Sequence, residues 1–296
     1  MRKNIKIVNI IGGLGNQMLQ YSFALILRER YPEDDVRIDI SHFKGYRLHN
    51  GFELDRIFNV ELQPAKWWQI ARVSRWIPVY KLSRGVRHFF PRKKTECVES
   101  PIFEYQKAYL EKKGSVYYEG YWHYAKMLQD YRNILLKSFR FPDIDDEQNN
   151  NVMQRMKNSE SVAIHIRRGD YVGAPAFSGI CTEAYYSKAI EKIIGICGKP
   201  SFFIFSNDIN FSRRLFARYE NNYELTYISW NVGQNSYRDM QLMTYAKANI
   251  IANSSFSWWG AWLGCRENHI VICPSRWVNY SDSKDMIPEE WIKIEV

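Results

Sequence analysis

The run Ser161-Val162-Ala163-Ile164-His165-Ile166-Arg167-Arg168-Gly169-Asp170-Tyr171 decides how the chain is read. Its first part, Ser161 to Ile166, is small, apolar and β-branched, as a buried parallel strand requires, and its polar, glycine-containing tail reads as the loop leaving that strand's carboxyl end. Working outward, the pattern predicts a helix over 183–196 capped by Thr182, a strand over 201–205, a helix over 209–219 and a strand over 224–228. A helix over 237–247, a strand over 249–252, a helix over 258–265 and a strand over 270–273 follow. Strands and helices in strict alternation predict an α/β doubly wound sheet.

Upstream, 143–151 is acidic and Asn-rich, the most linker-like composition in the chain, and places a boundary between domains 1–150 and 151–296. The first domain opens with a strand over 5–11, the glycine-rich turn Gly12 to Gly15 and a helix over 16–31. Met18, Tyr21, Phe23, Leu25 and Leu27 give that helix a largely buried look. A short strand over 36–40 precedes an irregular region, a Tyr-rich segment over 115–124 and a helix-like run over 126–136.

Composition narrows the classes. Lys and Arg number 41 against 32 Asp and Glu, a net charge of +9, and the stretch 66–94 alone carries nine basic residues and no acidic one. Such a balance suits polyanions, from nucleic acid and anionic lipid to a nucleotide-sugar. The five cysteines (97, 181, 197, 265 and 273) are scattered and never spaced Cys-x-x-Cys, which argues for free thiols in a reducing, cytoplasmic setting and against a zinc site. The apolar run 5–11, interrupted by Lys6 and Asn9, is too short and polar for a signal peptide or membrane span. With 10 Trp and 20 Tyr, the chain has rings enough both for a core and for stacking on sugars.

Three segments lie where an open α/β sheet puts its ligands, just past a strand's carboxyl end. In Gly12-Gly13-Leu14-Gly15-Asn16-Gln17, glycines permit close backbone approach and a helix start offers amides to an anion, though a plain tight turn has the same look. In 165–171, adjacent arginines alternate faces, so one can clamp a diphosphate while a carboxylate such as Asp170 holds the other; a surface ion-pair cluster would read alike. In Asn253-Ser254-Ser255-Phe256-Ser257-Trp258-Trp259-Gly260, hydroxyls and helix-start amides make a second phosphate cradle. Its tryptophans also suit a core. Asp239 is either a helix-start carboxylate or an acceptor for guanine's paired N–H donors.

Taken together, these motifs resemble those of the bacterial and animal α-1,2-fucosyltransferases, and the likeness runs from residue 5 to about residue 277. Weaker matches are Phe52-Glu53-Leu54, Gly120-Tyr121-Trp122, Phe205-Ser206-Asn207-Asp208 and Asp239 to Ala252. His123 and Asn207 depart from the family's usual Gln and Asp. The resemblance implies a GT-B-like fold, two Rossmann-type halves facing a central cleft, with the last residues packing back on the first half. It also implies that Arg167 and Arg168 bind the diphosphate of GDP-fucose, His165 and Asp239 contact guanine, and Asn253, Ser254, Ser255 and Phe256 complete the donor site. Gly13, Asn16 and Gln17 would close it from the first half. The acceptor implied is a galactose-terminated glycan, lipid-linked in one version.

A β-linked donor giving an α-linked product inverts, so a single displacement is expected. Asp170 is the motif's candidate base, unless an arginine engages it fully. With arginines on the phosphates, neither a metal nor a cofactor is expected; Asp143-Ile144-Asp145 falls in the linker. The alternatives are a fucosyltransferase of another linkage, a transferase of another GDP-sugar, and a non-catalytic, membrane-associated glycan-binding protein. Nucleic acid is disfavoured for want of a binding motif. Trp67, Trp68, Trp76, Ile77, Tyr80 and Phe89 among the basic residues of 66–94 suit either a peripheral membrane contact or an acceptor-domain helix pair.

Overall fold

Strand β1, Ile5–Asn9, is buried at every position. Two parallel neighbours enclose it, β2 (Asp35–Asp39) and β4 (Val116–Glu119), in a four-stranded sheet of order β2-β1-β4-β3, where β3 is Glu96–Val98. Burial extends even to Lys6, whose ammonium donates to the carbonyls of Lys112 (2.6 Å) and Gly114 (3.3 Å) and lies 4.1 Å over the Tyr31 ring. A buried cation persists only with such partners, and desolvation lowers its pKa. The helix Leu14–Arg30 packs on β1 and β2. On Ile5, Ile7 and Tyr117 lie Ile70 and Val73 of the helix Trp67–Val73.

The computed structural model describes residues 3–45, 49–75, 77, 82, 85, 91–264, 266–281 and 283–296. The chain divides into two compact units, 1–142 and 143–296. Trp76, Tyr80 and Phe89 of the aromatic basic stretch, and Cys265, lie outside the described residues.

The second unit holds six parallel strands: β5 (Ser161–Ile166), β6 (Ser201–Ser206), β7 (Leu225–Ile228), β8 (Ala248–Ile250), β9 (Ile270–Pro274) and β10 (Ile292–Ile294). Their order is β10-β9-β8-β5-β6-β7. Counted from β5, this is the 3-2-1-4-5-6 arrangement of dinucleotide-binding sheets, and the chain reverses direction across the sheet between β5 and β8. Alternation along β5 sends Val162, Ile164 and Ile166 into one core with Tyr186 and Ile190, and Ala163 into another with Phe203, Phe205 and Leu242.

Two expectations are corrected. The stretch 143–151 is not a linker: Asp146 caps the helix Glu147–Lys157, accepting from the Asn149 amide at 2.7 Å, so the division falls at 142/143 and this helix belongs to the second unit. The last residues complete the second unit's sheet, where β10 pairs with β9 and Trp291 packs 5.6 Å from Trp258. The helix-like run 126–136 is two short helices, Ala125–Asp130 and Arg132–Ser138.

Candidate functional site

His165, next to last in β5, lies on the Ala163 side of the sheet, 8% exposed, with its ring centroid 5.6 Å from that of Phe256. Phe256 sits in the first turn of the helix Ser255–Trp262, which follows β8. Because β5 and β8 flank the reversal, with Ile164 beside Ile250, the loops after them meet at the topological switch point. Burial, then the nearby charge of Arg167, pushes the His165 pKa down to about 3, so the imidazole is neutral at physiological pH. Its buried Nδ1 has no hydrogen-bond partner among the described residues. Such a polar atom is costly unless a ligand uses it.

Arg168 is held from β6. Its Nε lies 3.1 Å from Asp208 Oδ2, its guanidinium 4.0 Å over the Phe211 ring, and its backbone N–H donates to Asn207 Oδ1 at 3.0 Å. Asp208 uses its other oxygen to cap the helix Ile209–Phe216, accepting from Phe211 at 3.0 Å. That amide, and then Arg168, hold its carboxyl below the usual range. The carboxylate that positions Arg168 is therefore Asp208, from the loop that follows the neighbouring strand β6. Asp170 lies in the turn Gly169–Val172, and its side chain lies outside the described residues. Arg167 lies with its guanidinium 5.4 Å from the Tyr171 ring centroid. Gly169 holds φ 24, which strains other residues, and a Cβ there would displace the Asn207 amide.

After β8, Asn253 is buried and its amide donates to the Trp277 carbonyl at 3.0 Å, which holds the loop. Ser254, 6% exposed, is the N-cap of the helix Ser255–Trp262 but makes no side-chain capping bond. That helix begins at Ser255, ahead of the expected start, so both serines stand at its N-terminus. Trp258 and Trp259 are core, with Trp258 Nε1 donating to the Met286 carbonyl at 2.9 Å.

Asp239 is in the first turn of the helix Tyr237–Met243, which packs against the helix Ser255–Trp262 through Gly260, where a Cβ would stand 2.9 Å from Met243 Cβ. Asn231 donates to Asp239 at 2.8 Å and is paired reciprocally, 2.9 Å each way, with Asn149. Desolvation nevertheless pushes the Asp239 carboxyl up to about 7. Neither asparagine was singled out from sequence, since Asn149 read as linker. Asp145 of that segment pairs with Arg238 at 2.7 Å. Among the described residues no group of three or more His, Cys, Asp and Glu is placed to hold a metal.

Residues 100–295 match the family described as Glycosyl transferase family 11. The chain belongs to glycosyl transferase family 11. An α-1,2-colitosyltransferase of Escherichia coli is 33% identical over 311 positions covering 99% of each chain. The O-antigen biosynthesis glycosyltransferase WbnK of Escherichia coli is 30% identical over 96% of this chain and 98% of its own. Fold similarity reaches further: FUT1 of Arabidopsis thaliana, solved with GDP, has a TM-score of 0.54 at 11% identity, over 98% of this chain and 76% of that one. Fucosyltransferase NodZ from Bradyrhizobium also scores 0.54, at 9% identity over 89% and 94%.

In this family member's first unit, Gly12 adopts φ 95 and Gly13 lies where a Cβ would meet the His49 ring at 3.2 Å. Asn16 remains at the turn, half-buried. Gln17, however, is fully buried: its Nε2 donates to the carbonyls of Gly12 and Gly51, both at 2.8 Å, and its Oε1 accepts from Glu53 at 2.9 Å. Its amide is spent within the unit, so it shapes the loop in place of the donor contact expected of it.

Proposed function

We propose that this glycosyltransferase moves L-fucose from GDP-β-L-fucose to the 2-hydroxyl of a terminal galactose on a surface glycan such as an O-antigen, with inversion. The observation that carries this reading is the His165 ring against Phe256 of the Ser254–Phe256 helix start, at the switch point between β5 and β8. Neutral His165 and Asp239 would take the base, and Arg167, Arg168, Asn253, Ser254 and Ser255 the diphosphate, with Gly13 and Asn16 as further donor-binding candidates in the first unit. Arginine on the departing GDP offsets the charge that develops as the oxocarbenium-like centre forms, so no divalent cation is needed. The hydroxyl's proton passes to a carboxylate, for which Asp170 is the candidate. The name of the colitosyltransferase relative favours one rival, transfer of colitose from its own activated donor.

Among the described residues no helix is long and apolar enough to cross a membrane. Trp67 and Trp68, 65% and 51% exposed beside Lys66 and Arg72, support cytoplasmic work at an anionic membrane face, where a lipid-linked acceptor would be.

The test is transfer to lactose in excess EDTA, offering GDP-fucose and GDP-colitose in parallel, with linkage analysis and Arg168→Ala as control. An α-1,2-fucosylated product that needs Arg168 and survives EDTA is the expected result. Exclusive use of the colitosyl donor would replace the donor and keep the site.

A further inference from the structure

The half-buried carboxylate of Asp239 has one fixed oxygen and one open one. Oδ1 accepts from Asn231 Nδ2 at 2.8 Å, while Oδ2 has no hydrogen-bond partner among the described residues. The charged neighbours are engaged elsewhere: Arg238 donates to Asp145 and Gln241, both at 2.7 Å, and Asp146 accepts from Asn149. Desolvation raises the Asp239 pKa, and the Asn231 amide is the group that favours the charged form. Leu242 and Met243 of the same helix share a core with Phe256, the ring that faces His165.

An asparagine amide can be turned either way, and a reciprocal pair such as Asn149 and Asn231 is satisfied in both senses, so its surroundings choose. The indole N–H of Trp230 only donates, and it meets Asn149 Oδ1 at 3.0 Å; the Asp146 carboxylate only accepts, and it meets Asn149 Nδ2 at 2.9 Å. Asn149 is thereby fixed from both ends. Its Nδ2 donates to Asn231 Oδ1 and its Oδ1 accepts from Asn231 Nδ2, 2.9 Å each way, which leaves the second Asn231 N–H for Asp239. In the opposite sense an amide oxygen would face the carboxylate and disfavour its charge. Both asparagines are buried, so water competes little for these bonds.

We propose that Asn231, locked by Asn149, is the positioning residue that aims the Asp239 carboxylate at the paired N–H donors of guanine and so sets the base preference of the donor site. This rests on the GDP-sugar reading above. Calorimetric titration at pH 8 with GDP and with IDP, which lacks guanine's 2-amino donor, tests it in wild type, Asn231→Leu, Asp239→Ala and the double variant. Wild type should prefer GDP about tenfold or more, because IDP forfeits a hydrogen bond to a charged acceptor. Asn231→Leu should bring that preference under about twofold, and added to Asp239→Ala it should change GDP affinity by less than about twofold, since it acts through the carboxylate. Where the leucine variant does not melt cooperatively, Asn231→Ala takes its place with the same expected outcome. A GDP preference that survives the Asn231 substitution, or a further loss when it is added to Asp239→Ala, overturns this proposal alone. Wild type that binds no GDP, or binds IDP equally well, overturns the reading of Asp239 as guanine's partner and the proposal with it.

Discussion

Asp208 holds Arg168 with one carboxylate oxygen, at 3.1 Å, and caps a helix with the other. The two tasks separate by substitution. Asp208→Asn keeps a capping oxygen but turns an amide toward the guanidinium, and a partly exposed ion pair of this kind contributes about 1 kcal/mol or less. Turnover should fall about two- to fivefold with little change in melting temperature, whereas Arg168→Ala should cost about a hundredfold or more. Both are read from GDP-fucose turnover, and unchanged turnover in Asp208→Asn would show that the pair does not position Arg168.

Burial holds the Asp239 carboxyl at about 7, so between about pH 4 and 7 the folded chain keeps a proton that the unfolded chain has released. Stability from this group is intact below that window and declines as pH rises through it. Asp239→Asn should remove the decline and melt higher than wild type above pH 7. GDP affinity should run the other way if the ionised carboxylate receives guanine, weakening by up to about tenfold from pH 7 to 6. Thermal melts and GDP titrations over pH 5–8.5 check both.

Gly260→Ala pushes a methyl against Met243 between the helix bearing Phe256 and the helix bearing Asp239. Overpacking of this kind costs about 1–3 kcal/mol. Urea unfolding should shift accordingly, and GDP binding should weaken with it because both helices carry residues proposed for the donor site.

Gln17→Ala should cost about 1–3 kcal/mol by leaving the buried Glu53 N–H and two carbonyls without partners. Since its amide is spent on the loop, the KM for GDP-fucose measured below the melting transition should change less than threefold. A selective KM effect without destabilisation would restore Gln17 to the donor site.

Replacing both Trp67 and Trp68 by Ser should abolish flotation with vesicles containing anionic lipid while leaving the fold intact, since both side chains are exposed. Wild-type protein that stays with the aqueous fraction would remove the membrane contact.

Much of the second unit was legible. In β5 and its neighbours, a buried strand must be apolar throughout and its helices must show one apolar face, so pattern reveals element and order together. The helix Glu147–Lys157 was not, because Asn149 serves it through a buried amide pair with Asn231, and polar side chains satisfied inside a fold look like linker in a sequence. β10, three residues long at a sheet edge, carries too little pattern to be seen.

By itself the sequence determined the alternation of strands and helices and marked the three loops proposed to hold the donor, because both follow from local residue pattern. Only tertiary structure decided that His165 meets Phe256, that Asp208 holds Arg168 and that Gln17 faces inward. Each of these depends on which strands lie side by side and on which buried groups find partners, and those are properties of residues far apart in the chain.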